Sequence, residues 1–194
     1  MFYLALGLIS LIFFIAVSRS GSDTNTYSKS SEPQMVGKNV CDLIFSYLHS
    51  IKMENLSPLI MTELFAFVYY EIDSLLYFRK ISARERITNS LLETFDVVIS
   101  KSFPSLSLDY AQSAFTERVN EYAAMTRANK DKSEIVDRFN LIFSHAKKGV
   151  HYRSGETPVM IGGFRESFDE TNNTHSFYLS YLVPFMKNVV TNFS

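Results

Sequence analysis

The stretch Phe67-Val-Tyr-Tyr-Glu-Ile-Asp-Ser-Leu-Leu-Tyr-Phe78, FVYYEIDSLLYF, decides how this chain folds. At helical spacing its apolar side chains point almost all round. A helix of that kind has no solvated face and belongs at the centre of a bundle. Yet Glu71 and Asp73 interrupt it, and neither has a basic residue four positions on. A carboxylate buried there needs a partner or water, because an unpaired buried charge is too costly to persist.

A helical wheel separates these acids. With Glu63 at the origin, Glu71 falls near about 80° and Asp73 near about 280° at 100° per residue. Leu64, Phe65, Val68, Ile72, Leu75 and Leu76 fill the opposite arc. Glu71 and Asp73 therefore point too far apart to hold one metal or to work as a close acid/base pair. Two roles remain for them. Either they rim a central helix and meet Arg or Tyr from neighbours, such as Arg118 or Arg127, or they form a carboxylate/Arg site between helices two and four. In the second case Glu71 or Asp73 works with Arg118, and the Gly-rich stretch 152–166 serves as a lid. In the first, Arg118 bridges to Glu71 or Asp73 as a specificity device and no catalytic residue is expected.

Outward from this helix the chain is poor in turn formers. No glycine occurs from Lys38 to Lys148, and Pro58 and Pro104 are the only prolines there. Such a stretch suits helices and starves a β-protein of its turns. The spacing predicts a first helix at 36–52 on Val40, Ile44, Leu48 and Ile51. Ser57-Pro58 is an N-cap followed by proline at the first helical position, opening the second. Ser82-Ala-Arg-Glu85 has the form of a capping box for a third, striped with Ile87, Leu91, Phe95, Val98 and Ser102. A fourth, 107–128, carries Leu108, Ala111, Phe115, Val119 and Tyr122. Asp131-Lys-Ser-Glu134 opens a fifth on Ile135, Phe139, Ile142, Phe143 and Ala146, ended by Lys147-Lys148-Gly149. A Gly-rich loop or short hairpin follows. A sixth helix, 173–192, uses Tyr178, Leu182, Phe185, Val189 and Phe193 and should be kinked by Pro184. The fold class is all-α: a compact, antiparallel bundle of about six helices over 36–194.

The N-terminal region differs in kind. Met1–Val17, MFYLALGLISLIFFIAV, has no charged side chain and is expected to be a transmembrane anchor over 1–18. A cleaved signal peptide with export of the remainder is the alternative, with Ala16-Val17-Ser18 as a small-residue cleavage site. Residues 19–35, rich in Ser and Thr, read as a flexible linker. Arg19, Lys29 and Lys38 follow the apolar run and none precedes it. That places the C-terminal domain in the cytoplasm of a single-pass protein at the cell membrane.

The 194 residues carry a net charge of -1, which gives no reason to expect a nucleic-acid partner. Cys41, the single cysteine, excludes an internal disulfide and has no neighbouring histidine to activate it. Gly162-Gly163 lacks the pattern of a phosphate loop, and no Glu-x-x-His or third ligand beside His145 and His151 suggests a metal or cofactor. Arg138 to Gly155 holds no acid, so Lys147, Lys148 and Arg153 form a candidate anion- or lipid-binding patch. The leading functional expectation is a non-enzymatic, membrane-tethered domain that binds another protein or self-associates. An enzyme with the helix two–four site and an anionic-lipid sensor are the alternatives.

Overall fold

The computed structural model describes residues 32–53, 56–149 and 177–193. The apolar segment Met1–Val17, the linker up to residue 31, Arg153 and the Gly-rich stretch after it lie outside these residues. Within them the regular structure is wholly helical: α1 Pro33–Ser50, α2 Pro58–Phe78, α3 Arg84–Ser102, α4 Leu108–Arg127 and α5 Lys132–Lys147. A last helix opens as a π-helical turn, Phe177–Leu182, and continues as α6 Val183–Phe193. No helix among the described residues is long and apolar enough to cross a membrane.

α2 is the axis of the bundle and touches each of the other five helices. Ile60, Leu64, Phe65, Phe67, Val68, Ile72 and Leu76 are all buried, as expected for a helix apolar on nearly every side. Phe67 shows how the centre is filled. Its ring stacks on Phe139 of α5 at 4.0 Å and 8° and meets Tyr122 of α4 edge-on at 5.5 Å. Such aromatic pairs add to the burial energy and fix ring orientation.

Ion-pair and hydrogen-bond contacts set the helix directions. Ser90 of α3 donates to the Gln34 carbonyl of α1 at 2.9 Å, and Gly37, one turn on, lies against Ser90 and Thr94. α1 and α3 therefore run the same way and pack directly on each other, and α2, which lies between them in the chain, runs antiparallel to both. Gly37 is what lets α1 and α3 approach. A Cβ there would fall 2.7 Å from Ser90 Oγ and closer still to the Ser90 carbonyl and Thr94 Oγ1.

Helix ends are made without glycine except at Gly149. Lys52, Lys80 and Asn129 follow α1, α2 and α4 in the left-handed region, at φ 53, 55 and 54°. Behind each, paired backbone bonds close the helix. For α2 they run from Ile81 N–H to Leu76 O and from Lys80 N–H to Tyr77 O, both 3.0 Å. This arrangement satisfies carbonyls that the helix leaves without partners.

Several local expectations are corrected. α1 starts at Pro33, inside the expected linker, because proline at the first helical position loses no hydrogen bond. The Ser82–Glu85 capping box does not form, and α3 begins at Arg84 behind Ala83. The turn that buries Ile81 against the end of α2 uses Ser82 as a connector instead. Asp131 is the N-cap of α5 but its side chain makes no capping bond. Ser57 and Ser107 do cap α2 and α4, accepting from Ile60 N–H and Tyr110 N–H. Pro184 is accommodated by the π turn before it. The ring cannot donate to the carbonyl four residues back and would crowd it, and a wider turn relieves both problems.

Candidate functional site

Each acid of α2 meets a cation on a different helix. Glu63 faces Arg118 of α4: Nε donates to Oε2 at 2.7 Å and Nη2 to Oε1 at 3.0 Å. Glu71 receives Nζ of Lys132 at the start of α5, at 2.5 Å. Asp73 holds Arg84 at the start of α3 through Nε at 2.6 Å and Nη2 at 2.8 Å. The expected bridge from Arg118 to Glu71 or Asp73 is replaced by the bridge to Glu63.

The Arg118 network is buried except at its Arg138 end, where the side chain is 21% exposed. Arg118 is 2% exposed, Glu63 3% and Glu121 9%. The local i,i+3 pair of Arg118 with Glu121 forms, from Nη1 to Oε2. Arg138 of α5 closes the chain by donating to Glu121 Oε1 at 2.5 Å. Two carboxylates and two guanidiniums thus join α2, α4 and α5. Burial pushes the Glu63 carboxyl up, and Arg118 pulls it back only in part. The Tyr122 hydroxyl beside them is pushed well above its ordinary range, first by burial and then by Glu63. Among the described residues that hydroxyl has no hydrogen-bond partner, nor has the buried Asn140 amide.

Glu71 sits in a second, separate setting. It is 3% exposed, and burial raises its pKa against the opposing Lys132 ammonium. Lys132 lies 5.4 Å from the Tyr70 ring centre and 5.8 Å from that of Tyr178, so its stem and charge fit between two aromatic faces. The Tyr70 hydroxyl bonds Thr126 Oγ1 near the end of α4. Asp73 and Arg84 form the third setting. They are partly exposed, and Arg84 stacks at 5.0 Å over the Tyr77 ring.

The geometry therefore distributes Glu71, Asp73 and Arg118 over three contacts and does not bring them together. At the other end of α5, Lys147 lies over the Phe143 ring at 5.6 Å and Lys148 caps the helix. Burial pushes the Cys41 thiol up to about 12, with Asp42 adding to the effect, so it is protonated and unreactive at neutral pH. No group of three or more metal-ligating side chains occurs among the described residues.

Sequence reasoning missed Glu63, Lys132, Arg84 and Arg138 as partners. A signal for Arg118 was present. It occupies an apolar register, Ala111–Phe115–Arg118–Tyr122, and all four are buried, whereas Val119 is only half-buried. Comparison with known protein families, characterised proteins and solved structures found no match for this chain.

Proposed function

We propose that the chain is a membrane-tethered helical domain that acts by binding another protein or a second copy of itself, and not by catalysis. One observation carries this reading. The acid groups that a site between α2 and α4 would use are each engaged in a separate ion pair that fastens one helix to the next. Arg118, the arginine of that candidate site, is held by two carboxylates and shielded from water. These are the properties of groups that specify how helices meet. The uncharged run Met1–Val17 is the anchor in this reading.

The test is membrane fractionation of the full chain followed by crosslinking in place. The full chain should resist alkaline extraction, and deletion of residues 2–17 should release it. Crosslinking should trap a discrete dimer or a stoichiometric heteromer. A chain that is extracted by alkali, or that stays monomeric and uncrosslinked in the membrane, overturns the reading.

A further inference from the structure

Three cations near the turn between α2 and α3 have no carboxylate partner among the described residues: Arg79, Lys80 and Arg86. Beside them Tyr77 and Phe78 stand out of the bundle, 61% and 68% exposed, with rings 5.6 Å apart. Arg84 lies over Tyr77 and pairs with Asp73. Glu85 is the one acid between Ser74 and Ile87. Single exposed apolar side chains need no explanation. An adjacent exposed aromatic pair followed directly in the chain by Arg79 and Lys80, with Arg84 over one of its rings, does.

The corner projects. Lys132, the first residue of α5, meets α2 at Glu71, and Thr126 in the last turn of α4 meets it at Tyr70. α2 then continues to Phe78, about 10 Å further at 1.5 Å per residue. The corner also lies at the end of the bundle where the chain enters. Gln34, in the first turn of α1, is bonded to Ser90, about 9 Å along α3 from Arg84. The described residues begin at this end, at Glu32 and Pro33.

We propose that the α2–α3 corner docks on an anionic lipid surface, with Tyr77 and Phe78 entering the headgroup region and Arg79, Lys80 and Arg86 meeting lipid phosphates and carboxylates. Aromatic rings favour the membrane–water interface, and each basic residue there contributes through the negative surface potential. The orientation rests on reading Met1–Val17 as an anchor. Docking would hold the far end of the bundle toward the aqueous phase, where a partner can reach it.

The chain contains no tryptophan, so single Trp substitutions report position without background. Full-length Phe13→Trp, Phe78→Trp and Tyr110→Trp are reconstituted in phosphatidylcholine vesicles with and without phosphatidylserine, with headgroup-proximal brominated lipid as quencher. Tyr110 is 55% exposed in the first turn of α4, away from the corner. Phe78→Trp should be quenched in the phosphatidylserine vesicles and Tyr110→Trp should not. Adding Arg79→Glu, Lys80→Glu and Arg86→Glu should lower the docked-to-undocked ratio by on the order of a hundredfold or more. Circular dichroism of each variant confirms that the bundle is kept. Phe13→Trp quenched with Phe78→Trp unquenched overturns docking and leaves the anchor standing; the corner is then free for an acidic protein. Phe13→Trp unquenched removes the anchor. In that case a quenched Phe78→Trp still supports docking, and an unquenched one overturns both.

Discussion

Arg118 and Glu63 face each other across the α2–α4 contact through two parallel N–H···O bonds, with both side chains almost wholly out of water. A pair in that position sets the register of the two helices. Its net contribution to stability is small, because desolvation opposes the Coulomb attraction. Losing one member is a different matter. Arg118→Met leaves Glu63 buried beside Tyr122 with no cation, and should cost about 3–5 kcal/mol in chemical denaturation. Replacing both, as Glu63→Met with Arg118→Met, should recover most of that loss. A single-variant cost below about 1 kcal/mol would show that the buried charges find other partners.

Glu71 gives a pH dependence with a definite sign. Burial raises its pKa in the fold above the ordinary carboxylate value of 4.5, against the pull of Lys132. The folded state therefore binds more protons than the unfolded state in the window above 4.5, and this group's contribution to stability falls as pH rises through it. Glu71→Gln cannot titrate. The stability advantage of the wild type over Glu71→Gln should be full and level below pH 4.5 and shrink as pH rises above it towards neutrality, read as the difference between urea midpoints across a pH series. A difference that grows with pH would mean that Lys132 outweighs burial.

The apolar stripes were legible in the sequence because burial follows periodicity. Val40, Ile44 and Leu48, then Ile87, Leu91, Phe95 and Val98, then all five residues expected on the fifth helix, are buried. α2 as the centre followed from its lack of a polar face. The partners of its acids were not legible, because they depend on which turn of which neighbour comes alongside. Neither Glu63 to Arg118 nor Glu71 to Lys132 is local in sequence. Arg118 was expected to reach Glu71 or Asp73 and instead meets Glu63, earlier on α2, although its spacing from Phe115 and Tyr122 is that of a core residue. The capping box at Ser82 failed for a similar reason. Burying Ile81 determined where α3 could begin.

Gly37 lies at a close approach between α1 and α3. Its N–H also donates to Ser90 Oγ at 3.2 Å. Gly37→Ala would gain helix propensity of somewhat under about 1 kcal/mol, but its methyl group meets the Ser90 backbone carbonyl, which cannot rotate away. Overpacking of this kind costs about 1–3 kcal/mol, so the variant should be less stable than the wild type in thermal or urea unfolding. A more stable Gly37→Ala protein would show that α1 can slide on α3 at little cost.

The left-handed residues that end α1 and α4 offer a stabilising change. Lys52 and Asn129 have nearly the same φ, 53 and 54°, and each is followed by a backbone bond back to its helix, Met53 N–H to Leu48 O and Lys130 N–H to Met125 O. A Cβ in this region is crowded against the neighbouring carbonyl, at about 1–2 kcal/mol for most residues, whereas asparagine tolerates it better. Glycine removes the crowding but has more freedom to lose on folding, about 0.5–1 kcal/mol. The balance favours Lys52→Gly by up to about 1 kcal/mol, with Asn129→Gly closer to neutral. Urea midpoints of the two variants, measured side by side, test the order. If Asn129→Gly stabilised more than Lys52→Gly, side-chain strain at the helix ends would not be the quantity that glycine relieves.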